Sequence, residues 1–296
     1  MTEESRTEPD HHLGKKIAEG GCSEVFVWGD AGQIIKIAKP NTGFDAMEKE
    51  FANNKLAWES GLPVTQPFRL LKVEERPAII FERIYGETVM ERFLRELSKE
   101  ASSSLADTPI IENDVRLTAR ALAAIHSKPH DGSLPSQRES MKYAIQAAGY
   151  LTKGETDKIA AILEGLPSKN AFCHGDPNPK NIMIKDDGTY VMLDWMNASA
   201  GNPEADLAEY IIMVRYAILP STLPPAALKR FDAWREEMIA VFLDEYRKET
   251  GITREEAEPW ILPALARKLC ADGITEAEKV LLIKDIRESL ERTAVL

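Results

Sequence analysis

Paired cysteines, long apolar runs and an excess of positive charge are all missing from this chain of 296 residues. Its three cysteines, Cys22, Cys173 and Cys270, are odd in number, widely spaced and free of any C-x-x-C pair, which argues against a disulfide framework and the common zinc and redox motifs. A reduced, cytoplasmic protein is the expectation. No segment approaches the roughly 20 apolar residues of a membrane span. Met1 to His12 is polar and has no apolar signal core, so neither export nor membrane insertion is expected. Basic residues number 37 against 48 acidic ones, a formal charge of -11. That balance speaks against non-specific binding to nucleic acid or anionic lipid and favours cationic ligands. No internal repeat is present, and the only low-complexity tract is the short Ser102-Ser103-Ser104, which reads as a loop.

What is present divides the chain by texture. A polar tail over residues 1–12 is expected to be disordered. Between 13 and 83 the apolar pattern predicts five short strands, at Lys15 to Ala18, Glu24 to Gly29, Gln33 to Ala38, Phe68 to Val73 and Ala78 to Glu82. One helix interrupts them, from Phe44 to Trp58, with Met47, Phe51 and Trp58 at helical spacing and Gly61-Leu62-Pro63 behind it. Residues 84–296 are mostly helical, notably Ile111 to Ser127, Leu207 to Leu219, Pro225 to Thr250, Glu255 to Cys270 and Thr275 to Arg292.

Two short apolar runs, Ile182 to Ile184 and Tyr190 to Leu193, break that helical texture. Asp187-Gly188 between them is a hairpin signal. The hairpin would put Asn181 at one strand mouth and Asp194 at the other. Just upstream runs Phe172-Cys173-His174-Gly175-Asp176-Pro177-Asn178-Pro179-Lys180-Asn181. Two carboxylates and a carboxamide in this order suit phosphoryl transfer, whose transition state is rich in negative charge and needs a positioned hydroxyl and Mg²⁺ against the phosphate oxygens. Kinase signatures have the same order: an H-x-D, an Asn five residues after that Asp, then an Asp followed by an aromatic, here Trp195.

Over most of residues 13–296 the chain resembles the aminoglycoside phosphotransferase and choline kinase group, small-molecule kinases with a protein-kinase-like fold. The resemblance is carried by His174-Gly175-Asp176 through Asn181, by Asp194-Trp195, by Gly201-Asn202-Pro203-Glu204-Ala205-Asp206-Leu207-Ala208 and by Leu122-Ala123-Ala124-Ile125-His126. It implies an α+β bilobal fold, with a small antiparallel-sheet N-terminal lobe holding one helix, residues 13–83, and a larger helical C-terminal lobe, residues 84–296. It implies ATP and Mg²⁺ as cofactors and transfer of the γ-phosphate to the hydroxyl of a small molecule. Asp176 would be the catalytic Asp, orienting and deprotonating that hydroxyl, and Asn181 and Asp194 would hold the metal. His174 is expected to fix the catalytic loop, and His126 to be structural. Asp206 is expected to cap its helix or to support the catalytic loop.

On the nucleotide side, Gly20, Gly21 and Ser23 lie where a Gly-rich loop would cover the phosphates, although only the middle glycine and the valine of G-x-G-x-x-G-x-V are kept. Lys36 alternates with Ile35 and Ile37 and would neutralise phosphate charge, with Lys39 a rival next to Pro40. Glu50, three residues after Met47, is the expected ion-pair partner of Lys36, and Glu48 is the alternative. Glu82 and Ile84, in Phe81-Glu82-Arg83-Ile84, would present backbone groups to the adenine edge.

For the acceptor the one clue is a set of acidic residues on the helices: Glu204, Glu209, Asp232, Glu236, Glu237, Asp244 and Glu245. They favour a cationic compound such as an aminoglycoside-like aminosugar, choline or another amino alcohol, and a neutral sugar stays open beside a solvated helix face. A protein kinase is disfavoured, because only Trp195 to Pro203 separates Asp194 from the next helix, leaving no room for an activation loop. A non-catalytic ATP-binding or interaction protein is the reading from another class. It is opposed by the joint presence of Lys36, Asp176, Asn181 and Asp194.

Overall fold

The computed structural model describes residues 13–29, 32–99, 104–130, 132–271 and 274–293. The tail over 1–12 and most of the Ser102 to Ser104 loop lie outside them. The chain separates into two compact units, Met1–Tyr85 and Gly86–Leu296.

The first unit is a five-stranded antiparallel sheet and one helix. Its elements are β1 (Leu13–Glu19), β2 (Ser23–Trp28), β3 (Gln33–Ala38), α1 (Phe44–Glu59), β4 (Pro67–Val73) and β5 (Arg76–Glu82), with strand order β1-β2-β3-β5-β4. Alternation along β3 sorts its side chains onto two faces. Ile35 and Ile37 pack with Ala78 and Ile80 on one face, against Phe26, Trp28, Leu71 and Val73. Ala38 and Ile34 pack on the other with Met47 and Phe51 of α1, together with Ile79, Phe81 and Leu70. Lys36 has the parity of Ile34 and Ala38, so its stem leaves the sheet on the side that α1 covers.

The second unit holds two small sheets among helices. In chain order it contains β6 (Gly86–Thr88), α2 (Val89–Ser98), α3 (Pro109–His126), α4 (Gln137–Ala147), α5 (Lys153–Gly165), β7 (Ala171–Cys173), β8 (Ile182–Lys185), β9 (Tyr190–Met192) and β10 (Ser199–Gly201). The helices α6 (Pro203–Tyr216), α7 (Pro225–Thr250), α8 (Arg254–Ala257), α9 (Ile261–Lys268) and α10 (Glu276–Thr293) follow. One sheet is β6-β8-β9 and the other pairs β10 with β7. One core of the unit joins α4, α5, α6, α9 and α10 through Met141, Ile145, Ile159, Leu163, Ile212, Leu265 and Ile286.

Several expected elements differ in extent for physical reasons. The helix expected over Glu255 to Cys270 is broken into α8, a 3-10 turn over Glu258–Trp260 and α9, because Pro259 has no N–H to continue an α-helical ladder. The helix expected from Leu207 starts at Pro203, where proline's fixed φ suits the first helical position. Asp206 therefore lies inside the first turn and is not the cap. The strands β6, β7 and β10 are three residues each, too short to show alternation. The helix α2, not among the expected helices, is marked by Val89, Phe93 and Leu97 at four-residue spacing and by a capping box between Thr88 and Glu91. Thr152 and Glu155 start α5 in the same way.

Gly86 joins the hairpin to the rest of the unit by close approach. It pairs with Lys185 in the β6-β8 ladder, and a Cβ there would lie 2.1 Å from the Ile184 carbonyl oxygen. Because the obstacle is backbone, Gly86→Ala must push β6 off β8, and it is expected to lower stability by about 1–3 kcal/mol. Denaturant unfolding measures this, and an unchanged midpoint would show that the two strands do not meet as described.

Candidate active site

The segment between β7 and β8 is held by a buried carboxylate from α6. Asp206, 1% exposed, accepts the backbone N–H of His174 at 2.8 Å and that of Gly175 at 3.1 Å. It also accepts from Nε2 of His126, the last residue of α3, at 3.2 Å. The Nδ1 of His126 lies 2.6 Å from the hydroxyl of Tyr246 on α7. Since the carboxylate only accepts, His126 carries a hydrogen on Nε2 and donates it to Asp206. Burial alone would push the Asp206 carboxyl up. The hydrogen bond from His126, the nearby rings of His126 and His174, and the Gly175 N–H outweigh it and hold the group below the usual carboxylate range.

His174 is fully buried and stitches the loop to the hairpin. Its Nδ1 accepts the Asp176 N–H at 3.3 Å, which leaves the hydrogen on Nε2 to be donated to the Leu193 carbonyl at 3.1 Å. Leu193 in turn donates its N–H to the Asn181 carbonyl at 2.7 Å. The register Ile182 with Met192 closes the same end of the hairpin, while Gly188, at φ 81°, makes the turn at the other. Asn181 and Asp194 are thus brought to one end of one hairpin. Asn181 also meets Asp176 directly, its Nδ2 donating to the Asp176 carboxylate at 2.9 Å and to the Asp176 carbonyl at 3.1 Å. That orientation turns the Asn181 amide oxygen away from Asp176. Asp194 is exposed, in a left-handed conformation with φ 61° and ψ 72°, a strained state for a non-glycine residue that persists where the surroundings dictate it. Gly175, at φ 76°, is required for two reasons, since a Cβ would also lie 2.4 Å from the Asn197 carbonyl oxygen.

A second cluster, the Nδ1/Nε2, Sγ and carboxylate atoms of His126, Cys173 and Asp206, lies within 4.8 Å. Its groups serve hydrogen bonding. The Cys173 thiol is pushed well up by burial and then by the Asp206 charge, which opposes the thiolate that a metal would need.

In the first unit, Lys36 Nζ lies 2.5 Å from Glu50 of α1, with side chains 13% and 2% exposed. Glu48 is exposed, and the rival Lys39 pairs with Glu19 at 2.6 Å. Gly20 and Gly21 occupy the turn between β1 and β2, where the Gly20 N–H bonds the Ser23 carbonyl at 2.9 Å. Ser23 starts β2 and is buried. Glu82 ends β5 and its N–H is committed to the Gln66 carbonyl at 2.9 Å. Ile84 follows in irregular chain.

The model of the phosphotransferase enzyme family matches residues 15–249. The chain belongs to that family. It is an enzyme of phosphoryl transfer. Among solved structures the phosphotransferase is similar to the choline kinase LicA from Streptococcus pneumoniae, with a TM-score of 0.57 and 14% identity, covering 96% of this chain and 94% of that one. It is similar to a thermostable mutant of aminoglycoside phosphotransferase APH(4)-Ia, with a TM-score of 0.60 and 15% identity over 93% and 94% of the two chains. It is also similar to the aminoglycoside phosphotransferase APH(3'')-Id from Streptomyces rimosus, at 0.56 and 13% over 86% and 92%. At these identities the likeness is one of fold, a protein-kinase-like sheet unit followed by a helical one. A search of curated protein sequences gave no match.

The acidic residues singled out in the phosphotransferase sequence are largely neutralised by its own cations. Glu204 pairs with Lys169, Glu209 with Arg267, and Glu245 with Arg116 and Arg120. Asp232 pairs with Arg235 at 2.8 Å, Glu236 with Arg215 at 2.7 Å and Asp244 with Lys248 at 2.6 Å. Arg267 also donates to the Gly175 carbonyl at 2.8 Å, a contact for which the sequence carries no local signal.

A depressed carboxyl contributes stability that is complete above its unfolded value of about 3.9 and is lost as pH falls through the folded value. Asp206→Asn is therefore expected to cost roughly 2–4 kcal/mol at neutral pH. Thermal melts of both proteins should show a constant gap above about pH 5 that narrows below it. A gap independent of pH down to acid unfolding would mean that the Asp206 charge does not hold the loop.

Proposed function

We propose that this phosphotransferase moves the γ-phosphate of ATP, with Mg²⁺, onto the hydroxyl of a small molecule, with Asp176 as the base. The observation that carries the reading is the direct Asn181 to Asp176 hydrogen bond at the mouth of the hairpin that also bears Asp194. Asp176, partly buried and only an acceptor when ionised, suits the task of orienting a hydroxyl and taking its proton as charge develops. Its N–H is held by His174 and the preceding peptide by Asp206, so its position costs little ordering at the moment of reaction.

The donor set fits a hard divalent ion, because the Asn181 amide oxygen and the Asp194 carboxylate are oxygen ligands on one hairpin end. Bound there, Mg²⁺ would neutralise charge on the phosphate oxygens. In the first unit Lys36, oriented by Glu50, would meet the α- and β-phosphates. Gly20, Gly21 and Ser23 would cover them, and Ile84 and the carbonyl of Glu82, whose N–H is held by Gln66, would face adenine. Support for nucleotide use comes from relatives: LicA has been solved with AMP, and APH(4)-Ia with ADP and hygromycin B.

A cationic acceptor, an aminosugar or amino alcohol, remains the preferred class. Its support is the net charge of -11, which draws cations at long range, and the compounds in the names of the relatives. The helix carboxylates lend less, since six of the seven carry internal ion pairs. ADP release measured over choline, ethanolamine, aminosugars and neutral sugars, with and without Mg²⁺, identifies the acceptor. Asp176→Ala should lower turnover by about 10²–10⁴-fold while nucleotide affinity stays within roughly twofold. Nucleotide binding with no turnover of any compound would instead favour a binding protein, and equal rates for both forms would remove Asp176 from the chemistry.

A further inference from the structure

Where protein-kinase loops carry the arginine of H-R-D, this chain has Gly175, and no side chain can stand there, because φ is 76° and Asn197 blocks the Cβ. A guanidinium nevertheless reaches the Gly175 backbone from elsewhere. Arg267, in the last turn of α9, donates Nη2 to the Gly175 carbonyl at 2.8 Å and Nη1 to Glu209 of α6. We propose that Arg267 is a positioning residue for the phosphoryl transfer proposed above. It holds from outside the peptide that carries Asp176, in place of a cation within the loop.

Three features support this. Gly175 is gripped on both sides, its N–H by Asp206 and its carbonyl by Arg267, so the peptide plane before Asp176 cannot rotate without breaking a charge-assisted bond. The arginine is anchored in turn. Glu209 belongs to α6, as does Asp206, and α9 is packed on α6 through Ala264, Leu265 and Ile212, members of one buried cluster. A cation in the last helical turn is also favoured by the helix dipole. Burial opposes the Arg267 charge, but the carboxylates of Glu209, then Asp206 and Asp176, outweigh it and hold the guanidinium above its ordinary range. A lysine, a compact point charge without the planar fork, lacks the two separate nitrogens that meet Glu209 and the Gly175 carbonyl here.

The test compares Arg267→Met and Arg267→Lys with the full-length enzyme in two readouts. In turnover, Arg267→Met is expected to lower kcat roughly 10–100-fold with KM for nucleotide and acceptor within about twofold, and Arg267→Lys to lie between it and the wild type. Because the side chain is 22% exposed, added guanidinium ion at non-denaturing concentration should restore part of the kcat of Arg267→Met. Hydrogen exchange followed by mass spectrometry needs no turnover: the amides of His174, Gly175 and Asp176 should exchange faster in Arg267→Met, with α6 and α9 unchanged. Loosening of α6 and α9 together with the loop, and no rescue by guanidinium, would make Arg267 a packing residue and overturn the proposal. So would wild-type kcat with wild-type exchange. If Arg267→Met does not fold, Arg267→Lys and Glu209→Gln carry the exchange measurement. A wild type that turns over nothing would defeat the phosphoryl-transfer reading, while the exchange result would still decide whether Arg267 holds the loop.

Discussion

The loop that carries Asp176 depends on a buried negative charge, that of Asp206. Taking the Asp206 carboxylate out of water costs several kcal/mol, and only a full set of donors offsets that. The set consists of two successive backbone N–H groups, from His174 and Gly175, and the Nε2 of His126, at about 1.5–3 kcal/mol for each bond to a charged group. Because the donors come from a loop and from α3, satisfying the charge forces both against α6. Tyr246 extends the constraint to α7 through His126. The carboxylate is therefore a joint among four segments, and one of them carries Asp176.

The loop is then over-determined from its other end. His174 accepts from Asp176 and donates to Leu193, and Leu193 donates to Asn181. This chain of bonds spans 19 residues of sequence and returns to within hydrogen-bonding distance of Asp176. Such closure explains how Asp194 can be kept left-handed at a cost of order 1–3 kcal/mol. In the first unit the same economy places Lys36: strand alternation directs it towards α1, and helical spacing brings Glu50 up to meet it.

Electrostatics divide by distance. At long range the enzyme is acidic, with a charge of -11. At short range six of the seven helix carboxylates considered as cation contacts are paired with arginine or lysine. The exposed ones, such as Asp232 with Arg235 and Asp244 with Lys248, contribute about 0–1 kcal/mol each, so their importance is less in stability than in removing carboxylates from the list of groups that could hold a cationic substrate. Glu209 illustrates the change of role. Read on one helix it is a candidate substrate contact. In the folded unit it is the anchor of Arg267.

The elements whose signals are local were legible in the linear chain: the five strands, the helix from Phe44, the hairpin turn at Asp187-Gly188, the helix from Pro225 to Thr250, and the meeting of Asn181 and Asp194 at one end of that hairpin. Alternation and helical spacing are written within a few residues, and hydrogen-bond chemistry limits which side chains can serve a phosphate and a hydroxyl. Other features were decided only by tertiary structure. Asp206 serves the loop rather than capping its helix because its partners lie about 30 residues upstream, and Arg267 reaches Gly175 across 92 residues. No window of sequence contains such contacts, since they exist only once packing has brought α6, α9 and the loop together.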